Sequence, residues 1–356
     1  MRILLKILVP VIVFFTTLSF LLFVWTFYRP VQSPENATKE IVWTTLAEGD
    51  KDKLPGITEL FKFPNSVNRH TITNKYGLVS DVVYRINEFG IRDDIGKDKT
   101  KKLHFLMSGC SFTFGQNIPY EDTAPYILRN LAPEVNVRSL GFSGGGLHTS
   151  LRYLEIADLR QFVPEEKGIF VYVFIMDHFP RWSRNLGFLR WAPPDSPTYD
   201  YLNGKLVYAG MLKNQSDFRK YHILKSIGFE LPVLGPLQVE VKPDKEKGKS
   251  FMDGVVLLKE RYLKLYPKGR FVWLIHPHPF LAKFAEDVIR RAANMRGIEV
   301  VFGNPEYQNY LNSEKILRKD HAVRWDGHPN RKFNLWFAVW LKNKFELNPS
   351  EWTVER

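Results

Sequence analysis

Short apolar runs alternate with helical patterns from about residue 103 to residue 345 of this chain of 356 residues. Strands are predicted at 103–106, 135–140, 168–175, 270–275 and 298–302, and most of them are apolar runs of strand length. The helical patterns lie at about 124–131, 147–162, 252–265, 280–295 and 331–345. Strands that alternate with helices in this way predict a mostly parallel sheet with right-handed crossovers. Because the strands are strongly apolar, we expect helices on both faces, which makes a three-layer α/β/α sandwich.

The loop between the first of these strands and the first helix carries the best candidate nucleophile, Ser111. It reads Met-Ser-Gly-Cys-Ser-Phe-Thr-Phe-Gly over residues 107–115, and the next helix is expected to have Pro125 in its first turn. A serine in this position has its hydroxyl at the carboxyl edge of the sheet, where unpaired backbone N–H groups can bind an oxyanion. The alternative is an ordinary Gly/Ser turn. The loop lacks a Walker A sequence, and Thr113 stands where a Gly-x-Ser-x-Gly elbow has its second glycine.

Other polar segments are expected at the same edge, because the carboxyl ends of parallel strands meet there. They are the glycine-rich loop 141–146, Asp177-His178 and His276-Pro277-His278. Asp326-Gly327-His328 lies at the start of the last helix, from which the imidazole can lean over the strand ends. Acyl transfer by serine requires a base for the hydroxyl proton and a carboxylate that holds this base in the right tautomer. His328 and Asp326 can supply both, with Gly327 allowing the chain to turn. Pro329 is expected to be the first residue of the last helix and to keep His328 out of helical geometry.

These motifs resemble, in order, the blocks of the SGNH (GDSL-type) hydrolase superfamily. The first block matches 109–115, with Cys110 in place of the usual aspartate, the second matches the glycine-rich loop, and the last matches 326–330 in its Asp-x-His form. Residues 87–93 resemble a lead-in found before the core of membrane-anchored members. The resemblance implies a flavodoxin-like sandwich with Ser111 as nucleophile. It also implies that the N–H groups of Ser111 and Gly144 form the oxyanion hole.

The third block departs from the family pattern. An asparagine usually donates to the oxyanion there, but this chain has Met176, which cannot donate a hydrogen bond. Either the hole has two donors, or His178 or another side chain takes the place of the asparagine, or the activity is weak or altered. Asp177, His178 and His276 are therefore candidate substrate-binding residues.

Composition excludes several classes of site. Cys110 is the single cysteine, so no intramolecular disulfide and no cysteine-based metal site can form. His276 and His278 could share a metal ion, but no third ligand is evident. We therefore predict neither a metal nor a cofactor. The net charge of +12 favours anionic surfaces, yet the sequence has no nucleic-acid-binding motif, so we expect no nucleic acid partner.

The N-terminal segment predicts a membrane anchor. Residues 4–28 are almost entirely apolar, long enough to span a bilayer, and end in an aromatic cluster and not in a cleavage site. We expect an uncleaved signal anchor at 1–29 with a cytoplasmic N-terminus and the rest of the chain outside the cytoplasm. The expected order after it is a tether at 30–66, a β-rich lead-in at 67–100, a catalytic domain at 101–346 with an insertion or lid at about 182–250, and a tail at 347–356.

The sequence thus predicts a membrane-anchored serine esterase or O-acyl (acetyl) esterase that acts on an acyl ester, of a glycan or a lipid. Transfer of the acyl group to a glycan hydroxyl by the same triad is one alternative. A membrane-tethered binding protein that kept the fold and lost the chemistry is another. The oligomeric state is left open.

Overall fold

A computed structural model describes residues 40–49, 64–74, 77–92, 101–226, 245–277, 283–323 and 326–347. These residues divide into two compact units. The first contains residues 40–42, 71–74 and 77–80, which are parts of the three N-terminal strands. The second contains the remaining described residues and holds the whole of the candidate site.

The central element of the second unit is a five-stranded parallel sheet. Its strands are β4 (Leu103–Gly109), β5 (Val135–Gly141), β6 (Lys167–Phe174), β9 (Lys268–Ile275) and β10 (Glu299–Phe302). Their order across the sheet is β10-β9-β6-β4-β5. All seven residues of β4 and of β5 are buried, including polar ones such as His104 and Asn136, so both faces of these strands are covered.

Ten α-helices occur in the described part of the chain. They are α1 (Ser111–Phe114), α2 (Ala124–Leu131), α3 (Leu147–Ile156), α4 (His178–Trp182), α5 (Leu186–Leu189), α6 (Ser216–Ser226), α7 (Lys245–Leu265), α8 (Lys283–Asn294), α9 (Asn304–Ser313) and α10 (Arg331–Lys344). Helix α2 begins and ends where the sequence predicts, because Thr123 caps it and Pro125 occupies its first turn.

Two hydrophobic cores lie on opposite faces of the parallel sheet, which confirms the three-layer arrangement. On one face, β-strand side chains such as Phe170 and Trp273 pack with α3, α7 and α8. On the other face, Phe105 and Val272 pack with α2, α9 and α10. Alternate residues of each strand face opposite layers, so each strand contributes to both cores.

The N-terminal strands β1 (Glu40–Ala47), β2 (Val67–Asn74) and β3 (Gly77–Arg85) form a separate three-stranded sheet in that order. Strand β1 lies within the segment 30–66 that the sequence predicts to be a tether. In β3, buried Val82 and Tyr84 alternate with exposed neighbours and pack, together with Ile86, against Phe114 of α1. The β-rich lead-in thus supports the nucleophile helix.

The insertion at about 182–250 contains more regular structure than its sequence indicates. A hairpin of β7 (Pro197–Leu202) and β8 (Lys205–Met211) is antiparallel and turns at Asn203 and Gly204. Helices α5 and α6 flank it, and a small core that includes Phe188, Leu212 and Phe218 joins them.

No helix among the described residues has the length and hydropathy needed to cross a membrane. The predicted signal anchor at 1–29 lies outside the described residues, as does most of the predicted C-terminal tail.

Candidate active site

Ser111 is the first residue of the four-residue helix α1, immediately beyond the carboxyl end of β4. Cys110 precedes it with extended backbone angles, and the Cys110 carbonyl accepts the N–H of Phe114 at 2.9 Å. Gly115 ends the helix with φ at +76°, and its N–H donates to the carbonyl of Ser111 at 2.9 Å. The first N–H groups of a helix have no acceptor within it, so the N–H of Ser111 is available to a ligand.

Asp326 and His328 lie in a tight loop before α10. The His328 carbonyl accepts the N–H of Val323 at 2.7 Å, and the N–H of Gly327 donates to the Val323 carbonyl at 2.9 Å. Gly327 has φ at +78°, a backbone conformation that favours glycine, which agrees with the predicted turn. The helix begins at Arg331 and is capped by the side chain of Asn330. The prediction that Pro329 is the first helical residue is therefore wrong: Pro329 instead pairs with Ala322 in an isolated β-bridge.

The structure brings Ser111, His328 and Asp326 together in one chain of hydrogen bonds. His328 Nε2 lies 2.8 Å from the hydroxyl oxygen of Ser111, and His328 Nδ1 lies 2.8 Å from Oδ2 of Asp326. The other carboxylate oxygen, Oδ1, accepts the backbone N–H of His328 at 2.9 Å. With Nδ1–H donated to the carboxylate, Nε2 carries the lone pair and can take the proton of the serine hydroxyl.

The glycine-rich loop 141–146 follows β5, the strand next to β4, which leads to Ser111. Gly109 and Gly141 are register partners, so the loop starts level with the end of β4. Gly144 has φ at +66°, and in the described part of the chain its N–H has no acceptor. Arg181 donates to the carbonyl of Gly145 and so ties the loop to α4. The N–H of Gly144 is therefore free to bind an oxyanion, as the resemblance implies.

Two of the three predicted substrate-binding residues, Asp177 and His178, follow β6, and their side chains differ in exposure. The Asp177 side chain is 66% exposed, whereas His178 is completely buried on α4 with Nδ1 2.8 Å from the hydroxyl of Tyr172. Burial lowers the pKa of His178 well below its usual range, and the charge of Arg181 adds to this effect. The side chain of His178 is not at the surface of the site.

His276 follows β9 and is also buried. Its ring packs against Phe112 of α1 at 5.1 Å between centroids, and against Phe333 and Phe337 of α10 at 5.0 and 5.3 Å. Phe112 in turn lies 5.2 Å from the ring of His328. His276 thus packs between α10 and α1, the helix that carries Ser111. His278, with which it could share a metal ion, lies outside the described residues. In the part that the structure describes, no group of three or more His, Cys, Asp or Glu side chains is placed to hold a metal ion.

Two residues of the site were not predicted from the sequence. Asn117 donates from Nδ2 to Oδ2 of Asp326, and Arg92 donates to three backbone carbonyls of the loop that carries Asn117. The only sequence signal for Arg92 was the lead-in at 87–93, in which no catalytic role was expected. Asn117 gives no signal, because an asparagine after Gly-Gln is typical of any turn.

No protein-family model and no curated protein matches the chain. The chain is similar to several solved structures, among them the following three. A protein from Desulfitobacterium hafniense, assigned by its name to the lipolytic G-D-S-L family, is 10% identical with a TM-score of 0.35 and is matched over 68% of this chain and 99% of its own. A two-domain esterase active on acetylated mannans is 11% identical with a TM-score of 0.38, over 69% of this chain and half of its own. The acetyl xylan esterase Est2A from Butyrivibrio proteoclasticus is 9% identical with a TM-score of 0.36, and the match covers 70% of this chain and 66% of Est2A. At these scores the matches assign neither a family nor an activity to this chain.

Proposed function

We propose that this protein is a serine hydrolase of the SGNH type. More particularly, we propose that it is an esterase that removes an acyl group, such as acetyl, from an oxygen of a glycan or a lipid. The observation that carries the proposal is the continuous chain of hydrogen bonds from Asp326 through His328 to Ser111. Such a chain activates a serine hydroxyl, and the unrelated folds that contain it use it for acyl transfer.

The reaction follows from the positions of these groups. The oxygen of Ser111 attacks the carbonyl carbon of the ester while His328 Nε2 takes the hydroxyl proton. The N–H groups of Ser111 and Gly144 stabilise the negative oxygen of the tetrahedral intermediate. His328 then returns the proton to the leaving alcohol, and the acyl group remains on Ser111. Water, activated by His328 in the same way, releases the acid and restores the serine.

A fluorophosphonate probe and an aryl acetate test the proposal on the full-length chain in detergent. We expect labelling and turnover in the wild type and neither in Ser111→Ala or His328→Ala. Ser108→Ala is the matched control, because Ser108 is also buried and lies three residues away, but bonds to Ser150 and not to His328. A folded protein in which Ser111→Ala leaves turnover unchanged would refute the proposal. Product analysis with a sugar acceptor distinguishes hydrolysis from transfer.

We also propose that residues 1–29 anchor the protein in a membrane, with the active site outside the cytoplasm. The support is the apolar composition of this segment and the positive residues Arg2 and Lys6 at its start. Extraction of membranes with alkaline carbonate should leave the full-length chain in the pellet, whereas a chain that begins at residue 30 should be released. Release of the full-length chain would contradict this placement.

A further inference from the structure

The loop that follows α1 holds Asn117 in an unusual backbone conformation. Asn117 has φ at +66°, in the left-handed region that asparagine adopts more readily than other non-glycine residues. Its backbone N–H donates to the hydroxyl of Tyr84 at 2.8 Å, and the residue is only 7% exposed. The side chain therefore has little freedom to reorient.

This fixed side chain contacts the carboxylate of the triad. Asn117 Nδ2 donates to Oδ2 of Asp326, which is the same oxygen that lies 2.8 Å from Nδ1 of His328. The side chain of Asp326 is 16% exposed, so a donor at this oxygen competes with little water. A carboxylate that accepts from a fixed amide on one side keeps its plane aligned with the imidazole on the other.

The N-terminal strands hold Asn117 from the opposite side. Tyr84 on β3 accepts its N–H, and the imidazole of His70 on β2 is buried against its amide. Burial lowers the pKa of His70, which favours the neutral form of its ring. Arg92 secures the same loop by donating to the carbonyl of Ile118 at 2.8 Å.

We propose that Asn117 is a positioning residue for Asp326 and that the strands β2 and β3, through His70 and Tyr84, are a working part of the active site. The inference rests on the proposed function and extends it from three residues to the relay Asn117–Asp326–His328–Ser111. It predicts that the β-rich lead-in cannot be removed without loss of the reaction, even though it contributes no group that touches the substrate.

Two substitutions remove the interaction without straining the loop. Asn117→Gly deletes the donor and suits the positive φ, whereas an alanine would be strained there. Asn117→Asp keeps the shape but replaces the donor with a second carboxylate. Asn203→Gly is the matched control, because Asn203 also has positive φ, at +51°, and lies in the exposed turn of the β7–β8 hairpin. Thermal unfolding verifies that each variant is folded.

We expect Asn117→Gly to lower kcat of aryl acetate hydrolysis by about 10- to 100-fold, with KM changed less than about 2-fold. This decrease is the rate equivalent of the free energy that a hydrogen bond to a charged group typically contributes. The low-field proton NMR resonance of His328 Nδ1–H, identified by its loss in Asp326→Asn, should shift or broaden. In Asn117→Asp the added negative charge beside the imidazole favours its protonated form, so the acid limb of the plot of kcat against pH should shift to higher pH by roughly one unit. Asn203→Gly should behave as the wild type.

An unchanged kcat and an unchanged resonance in Asn117→Gly would overturn the inference while Ser111-dependent turnover still stands. If the wild type shows no turnover that depends on Ser111, the proposed function fails separately. The resonance then still decides whether Asn117 positions Asp326, because it reports the hydrogen bond and not the reaction.

Discussion

Arg92 donates from Nη2 to the carbonyl of Ile118 at 2.8 Å, although its side chain is almost completely buried. Its Nη1 donates to the carbonyls of Phe114 at 3.1 Å and Gly115 at 2.5 Å, and the guanidinium lies 4.5 Å from the ring centroid of Tyr84. Burial lowers the pKa of Arg92 to about 10, so the group is still charged at neutral pH. One cation thus caps the carboxyl end of α1 and fixes the loop after it.

Arg92→Lys should destabilise the protein although it keeps the charge. A lysine ammonium is compact and cannot reach three carbonyls that a planar guanidinium spans. Because buried carbonyls lose their partners, we expect the free energy of unfolding to fall by about 2–4 kcal/mol. Urea denaturation measures it. Arg331→Lys is the control, since the Arg331 side chain is 69% exposed in its pair with Asp122 and a small change is expected. Equal effects of the two substitutions would contradict this role of Arg92.

Asp326→Asn should abolish most of the proposed activity without unfolding the loop. An asparagine amide can present its N–H to Nδ1 of His328, which favours the wrong tautomer and puts the proton on Nε2. We expect kcat for an aryl acetate to fall about 1,000- to 10,000-fold. Asp320→Asn, in the exposed turn before the same loop, should leave kcat unchanged. A loss of less than about 10-fold in Asp326→Asn would argue against the triad.

The sequence allowed the parallel sheet to be predicted because its strands are buried on both faces. The predicted strands at 135–140 and 270–275 correspond to β5 and β9 within two residues. The second is an apolar run of strand length, which has few other structures available. The placement of Ser111 at the carboxyl edge followed from the parallel topology. Asp326-Gly327-His328 does not follow a strand, and its association with Ser111 was predicted from the needs of acyl transfer and from the SGNH resemblance. Strand order could not be predicted, because adjacency in the sheet depends on contacts between distant segments.

The rest of the site depends on such distant contacts as well. Strand β1 pairs with β2 in the N-terminal sheet, and no short stretch of sequence specifies this pairing between segments that lie about twenty residues apart. His178 follows a strand end and was expected near the substrate, but its ring is buried beside Tyr172 and Phe174 of β6. Asn117 and Asp326 are 209 residues apart in sequence, and only the fold brings them together.

Protonation of His148 should make the protein less stable in acid. Burial lowers the pKa of this imidazole to about 3, and both ring nitrogens lack a hydrogen-bond partner in the described part of the chain. The unfolded chain has a pKa near 6.5, so below about pH 6.5 it binds a proton that the folded state does not. The stability is therefore complete above that pH and falls as pH decreases towards 3, by up to about 1.4 kcal/mol per pH unit.

His148→Phe isolates this effect, because phenylalanine has a similar ring and no proton to bind. Urea denaturation between pH 6 and pH 4.5 should give a shallower loss of stability in the variant than in the wild type. Other groups titrate in both proteins, so only the difference between the two slopes is attributed to His148. Parallel slopes would contradict the buried, neutral state of the imidazole.

Gly141→Ala should impair the reaction more than the fold. A Cβ at Gly141 would lie 2.5 Å from the backbone nitrogen of Phe114 and 2.8 Å from the carbonyl carbon of Thr113, so α1 must move to admit it. Ser111 begins that helix, and a displacement of about 1 Å in a reacting group can reduce a rate by about 100-fold. We therefore expect the rate of fluorophosphonate labelling to fall about 100-fold, with a loss of about 1–3 kcal/mol in the free energy of unfolding.

Gly248→Ala is the matched control for this close approach. Gly248 lies in α7, and a Cβ there would meet no atom within 4 Å. Alanine is the better helix former, so this variant should be more stable by up to about 1 kcal/mol and should label at the wild-type rate. If Gly141→Ala labels as fast as Gly248→Ala, the packing of α1 on the end of β5 does not set the position of the serine.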